Sequence, residues 1–115
     1  ELGSTDDKYI DPITNGALSI MRDLEMIPGE PSVVENPLVI SERSRLYSSY
    51  DGIFYADPKV ETGDYVTAGT RLGAITDYHG NVLEEIFAPS AGILLILFGT
   101  PPVNNGDNIV VIGEL

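Results

Sequence analysis

The chain has 115 residues, enough for one compact domain with an arm and too few for two catalytic domains. Eighteen acidic against six basic residues give a formal net charge of -12, which repels phosphate backbones and anionic lipid, so neither nucleic acid nor a membrane is an expected partner. The absence of cysteine removes disulfides, thiolate metal sites and cysteine nucleophiles, and leaves the compartment undetermined, with the cytoplasm slightly favoured.

The first element expected is a helix over about residues 12–27. Asp11 serves as cap and Pro12 as the first helical residue, and Ile13, Ala17, Leu18, Met21 and Leu24 follow at steps near three and four. Pro28-Gly29 closes it, and its single apolar stripe requires a partner surface. Residues 28–37 hold three prolines and read as an extended linker. The domain division is therefore 1–37 for the helical part with its linker, and 38–115 for a β domain.

Beyond residue 37 the pattern is all-β, with short β-branched and aromatic runs between glycine turns. The expected strands are Pro37 to Ser41, Arg45 to Tyr50, Ile53 to Tyr55, Arg71 to Thr76, Val82 to Phe87, Gly92 to Phe98 and Asn108 to Ile112. The longest apolar run, Ala91 to Phe98, is far shorter than the roughly 20 residues of a membrane helix.

The β region repeats itself. Asp51-Gly52-Ile53-Phe54 leads into Val60-Glu61-Thr62-Gly63-Asp64, and Ala91-Gly92-Ile93-Leu94 leads into Val103-Asn104-Asn105-Gly106-Asp107. Gly63 and Gly106 suit turns that need positive φ, and Asp64 and Asp107 can accept hydrogen bonds from nearby backbone N–H groups. Both Gly-Asp pairs are read as turn formers rather than metal ligands.

Between the copies, Tyr78-His79-Gly80-Asn81 has the composition of a hairpin tip. His79 is the only histidine, and a lone imidazole needs partners before it becomes a metal site or a general base. Asp77, Glu84 and Glu85 could supply oxygens, but a solvated turn is the reading taken. Glu84 and Glu85 are adjacent in a strand, so they cannot both face one pocket as an acid pair for glycoside chemistry.

The sequence Val60-x-x-Gly63-Asp64-x-Val66-x-x-Gly69-x-x-Leu72-x-x-Ile75, followed by Ala88-Pro89-x-x-Gly92, resembles the biotinyl/lipoyl carrier fold, the barrel-sandwich hybrid. The resemblance implies a mainly β architecture of two quasi-repeated strand-turn-strand units, preceded here by one amphipathic helix and a linker. Carriers of that fold acylate a lysine at the hairpin tip. This chain has only Lys8 and Lys59, and His79 stands near the missing lysine, so a carrier role fails on chemistry.

A longer stretch resembles a different family. Asp51-Gly52-Ile53-Phe54, Val60-Glu61-Thr62-Gly63-Asp64-Tyr65-Val66, Leu72-Gly73-Ala74-Ile75-Thr76-Asp77, Gly80-Asn81-Val82-Leu83-Glu84-Glu85-Ile86, Ala88-Pro89-x-x-Gly92 and Thr100-Pro101-Pro102-Val103 together are similar to the C-terminal domain of the succinylglutamate desuccinylase/aspartoacylase family. Upstream, Glu1-Leu2-Gly3 resembles the Glu-x-Gly segment that ends a catalytic strand in that family.

The resemblance implies a zinc-dependent hydrolase that cleaves the amide bond of N-acyl amino acids, with zinc as cofactor and a small-molecule substrate as partner; a homo-oligomer is allowed for. It implies that Glu1 is the general base, taking a proton from water and passing it to the leaving amine. The family's His-x-x-Glu and second histidine are expected upstream of Glu1, so this chain is expected to bind no metal and to be inactive alone. Arg22, Arg43, Arg45 and Arg71 are not assigned to substrate carboxylates. The competing reading is a non-enzymatic barrel-sandwich module, such as the adaptor domain of an efflux system. Such adaptors place a helical hairpin between the two copies, and Thr76 to Val82 is too short for one.

Overall fold

The computed structural model describes residues 6–115. The chain divides into two units, with the boundary between Pro37 and Leu38. The first contains one helix, α1 (Asp7–Asp23), and an extended segment; the second is built from eight short strands.

α1 begins and ends earlier than the expected 12–27. Its cap is Asp6, whose side chain accepts a hydrogen bond from Lys8 N, so the helix starts before Asp11-Pro12 is reached. Pro12 lies inside it, where its ring removes one donor from the helical ladder. The helix stops well before Pro28. Met26 N–H donates to Met21 C=O at 2.8 Å and Glu25 N–H to Arg22 C=O at 3.0 Å, with Glu25 at φ 55. These paired bonds across a left-handed residue terminate a helix without glycine. Ser19 then holds the returning chain, its hydroxyl accepting from Ser32 N–H and donating to Ser32 C=O. None of the helix side chains is buried within the described residues, and Ile13, Ile20 and Leu24 stand exposed along one stripe.

The second unit is mainly β. Its strands are β1 (Glu42–Tyr47), β2 (Gly52–Ala56), β3 (Tyr65–Val66), β4 (Arg71–Thr76), β5 (Val82–Phe87), β6 (Gly92–Leu97), β7 (Pro102–Val103) and β8 (Asn108–Glu114). Two four-stranded sheets form, in the orders β1-β8-β6-β3 and β5-β4-β2-β7, and all pairings are antiparallel. The expected strand from Pro37 to Ser41 is absent: Ser41 N–H reaches Glu114 C=O, but regular pairing begins only at Glu42. The strand placed at Arg45 to Tyr50 runs from Glu42 to Tyr47 instead, because Ser48 leaves the ladder to bind the Gly106-Asp107 turn.

Side chains from both sheets fill one core. Phe54, Leu72, Ile75, Ile86 and Val103 come from one sheet, and Val66, Leu94, Ile109, Val110 and Ile112 from the other. The interior strands β4 and β8 are buried on both faces, so they read as continuous apolar runs rather than as alternation. Leu72 sits at a register shift between Arg71 and Gly73, and Leu83 at another between Glu84 and Val82.

The repeat in the sequence is a repeat in the hydrogen bonding. Gly63 N–H donates to Leu94 C=O while Leu94 N–H donates to Asp64 C=O; Gly106 N–H donates to Ser48 C=O while Ser48 N–H donates to Asp107 C=O. Gly52 and Gly92, which open the two copies, also share a cause. A Cβ at Gly52 would strike the Thr76 carbonyl oxygen, and one at Gly92 the Gly113 carbonyl oxygen. Only glycine lets these backbones come so close.

Candidate functional site

The hairpin tip between β4 and β5 is organised by Asp77. Its Oδ1 accepts from His79 N–H at 2.8 Å and Asn81 N–H at 2.9 Å, and its Oδ2 accepts from Asn81 Nδ2 at 2.8 Å. Gly80, at φ 89, supplies the left-handed residue that closes the turn. The Asn81 side chain, then the Asn81, His79 and Gly80 backbone N–H groups, hold the Asp77 carboxyl below the usual aspartate range. These bonds commit both of its oxygens to the turn, and His79 is exposed. The tip is a built turn, as the solvated-turn reading expects.

The two Gly-Asp pairs are built alike. Asp64 Oδ2 accepts from Glu61 N–H, and Asp107 Oδ2 accepts from Asn104 N–H, each at 2.8 Å. Gly63 and Gly106 have φ of 101 and 91. Both carboxylates thus serve the backbone.

Glu84 and Glu85 have separate partners. Glu84 accepts from Ser49 N–H and Ser49 Oγ, whereas Glu85 accepts from Arg71 Nε at 3.1 Å. Arg71 also reaches Asp57 at 2.9 Å, so one guanidinium bridges two carboxylates from β5 and from the turn after β2. Asp57 is held below its ordinary value first by Lys59 N–H and then by Arg71. A second polar group ties β1 and β8 to the loop before β6, where the Ser44 and Ser90 hydroxyls both donate to Glu114 Oε1 at 2.7 Å. Those two bonds lower the Glu114 carboxyl, Ser44 contributing more. Neither cluster was visible in the sequence, because each joins segments far apart along the chain with no spacing to mark them.

Among the described residues, no group of three histidine, cysteine, aspartate or glutamate side chains could hold a metal ion. A zinc ion does not fit the donors described: the one imidazole is exposed, and the Asp77 carboxylate two residues before it is committed to backbone N–H groups. Glu1, the expected general base, lies outside the described residues. Lys8 pairs with Asp6 at 3.1 Å and lies 4.8 Å from the Tyr9 ring centroid, and Lys59 sits in the turn after β2. Neither lysine lies at the hairpin tip where a carrier would need it.

No helix of the described residues is long and apolar enough to cross a membrane. No protein-family model and no curated protein matches the chain. Solved structures do match, and they define its fold. The chain is similar to a succinylglutamate desuccinylase/aspartoacylase from Rhodobacter sphaeroides, with a TM-score of 0.76 at 21% identity over 97% of this chain. It is similar also to the ectoine utilization protein of Ruegeria pomeroyi, with a TM-score of 0.80 at 20% identity over 98% of this chain. A third is a succinylglutamate desuccinylase from Silicibacter sp. TM1040, with a TM-score of 0.72 at 18% identity over 97% of this chain. The chain spans 37%, 36% and 35% of the length of these three proteins. The structural neighbours are thus of the family that the residue pattern resembles, and the likeness extends over both units.

Proposed function

We propose that this chain is the C-terminal part of a zinc-dependent hydrolase that cleaves the amide bond of N-acyl amino acids, and that the 115 residues alone are inactive. The observation that carries the reading is the extent of the structural likeness. It takes in the helical unit as well as the β unit, where a stand-alone β module would match over residues 38–115 only. Two of the structural neighbours are a succinylglutamate desuccinylase/aspartoacylase and a succinylglutamate desuccinylase, which supports hydrolysis of an acyl amide.

In this reading the zinc ligands and the groups that select the substrate belong to residues outside this chain. Glu1 takes a proton from the attacking water and hands it to the leaving amine, so that water and amide become a carboxylic acid and a free amino acid. The short tip from Asp77 to Asn81 counts against an efflux adaptor, and the lack of a lysine there counts against a carrier.

The test compares the longer protein with the 115-residue chain in amine release from N-acetyl and N-succinyl amino acids. The longer protein is expected to turn over and the short chain to give none. In the longer protein, Glu1→Gln should lower kcat by about 10²–10⁴-fold while zinc content by atomic absorption stays unchanged. Turnover by the isolated chain, or a membrane anchor in place of a His-x-x-Glu segment upstream of Glu1, would overturn the reading.

A further inference from the structure

We propose that the open edge of β1 takes up an extended acidic segment from another protein, adding a strand to the β1-β8-β6-β3 sheet. β1 pairs with β8 on one side and has no backbone partner on the other among the described residues. As an edge strand in an antiparallel sheet it directs N–H and C=O groups outward at alternate residues, which is the template strand addition requires.

Charge decides the occupant. In a chain of net charge -12, the cations of the β unit are Arg43, Arg45, Lys59 and Arg71. Arg71 is held by Asp57 and Glu85, and Lys59 lies beside Asp57. Arg43 and Arg45 are exposed and have no ion pair or hydrogen bond to a described residue. They are two residues apart on β1, opposite Gly113 and Val111 of β8, so both side chains project from the same face. An added strand would place alternate side chains directly beside them, about 4.5–5.5 Å away, and carboxylates at those positions match both charge and spacing.

The same arginines disfavour a second copy at this edge. A twofold antiparallel pairing of β1 with itself brings together residues of the same face, so a register centred on Ser44 sets Arg43 opposite Arg45, and one centred on either arginine sets it opposite itself. Like charges directly opposite destabilise such a pair. The other long edge, β5, offers Glu84 and Glu85, but both already have partners in their own chain.

The test uses the full 115-residue chain and two fluorescein-labelled peptides, one alternating threonine with glutamate and one alternating threonine with lysine. Fluorescence anisotropy at low salt should show the glutamate peptide binding about tenfold more tightly than the lysine peptide, with loss of the preference as salt rises. Amide chemical shifts should move at Glu42–Tyr47. Both arginines are exposed, so the Arg43→Glu/Arg45→Glu double variant should fold, as circular dichroism will verify, and its preference should reverse to the lysine peptide. Equal or absent binding of the two peptides would overturn the proposal and leave the arginines as guards against edge pairing. So would a preference that survives the charge swap, or self-association in sedimentation that the double variant abolishes.

Discussion

Leu72→Ala tests whether the two sheets share one sealed core. Leu72 is 0% exposed and lies at the register shift of β4, turned into a cluster drawn from both sheets. Removing three carbon atoms forfeits about 2.4 kcal/mol of transfer free energy at roughly 0.8 kcal/mol per methylene. A cavity that cannot collapse adds to this, and the bulged backbone is paired on both sides, by β2 and β5, which limits relaxation. The expected cost is about 3 kcal/mol, large against the roughly 4–12 kcal/mol of a domain this size.

The assay is urea unfolding followed by far-ultraviolet circular dichroism, with Val82→Thr as the control. Val82 is 59% exposed, and threonine keeps its β-branch, so that change should stay within about 0.5 kcal/mol. The midpoint for Leu72→Ala should fall with the slope unchanged. A cost below about 1 kcal/mol, or one equal to that of Val82→Thr, would refute the reasoning, because Leu72 would then not lie in a closed core.

Three further outcomes follow from particular contacts. Gly92→Ala should destabilise the β unit more than Gly80→Ala in the same unfolding assay, since its Cβ meets the Gly113 backbone and Ile112 Cγ2 at 2.8 Å, whereas at Gly80 the surrounding space is open and only the positive φ resists. Because folding lowers the Asp77 carboxyl, its contribution to the tip is present above the ordinary aspartate value of 3.8 and is lost as pH falls through the folded value. Amide exchange at His79 and Asn81, normalised to intrinsic rates, should therefore lose protection on acidification below that range, and unchanged protection would contradict the bonding described. Replacing both Ser44 and Ser90 by alanine should raise the Glu114 carboxyl toward 4.5, read from its side-chain carbon shift against pH.

The parts of this fold that were legible in the sequence share a physical reason. Arg71–Thr76 and Val82–Phe87 fall where the pattern places them because a glycine turn stops both strands sharply, and the Gly-Asp turns were readable because their bonds lie within four residues. What was misplaced depended on competition between local signals. Asp11-Pro12 has the chemistry of a helix start, yet Asp6 caps first and the helix tolerates Pro12; Pro28-Gly29 has the chemistry of a stop, yet Glu25 adopts the left-handed conformation before it. The two-residue strands Tyr65–Val66 and Pro102–Val103 have no period to detect and exist only through distant partners, Ile93 with Gly92 and Ile53 with Gly52. The same distinction governs the candidate site. Asp57, Arg71 and Glu85 meet through tertiary folding, as do Ser44, Ser90 and Glu114, so no local spacing marks either group. The hairpin tip is closed by a carboxylate bonded to its own backbone. Among the described residues the β unit leaves the β1 edge without a backbone partner and its Arg43 and Arg45 without an ion pair, which is where the proposed recognition of an acidic strand is placed.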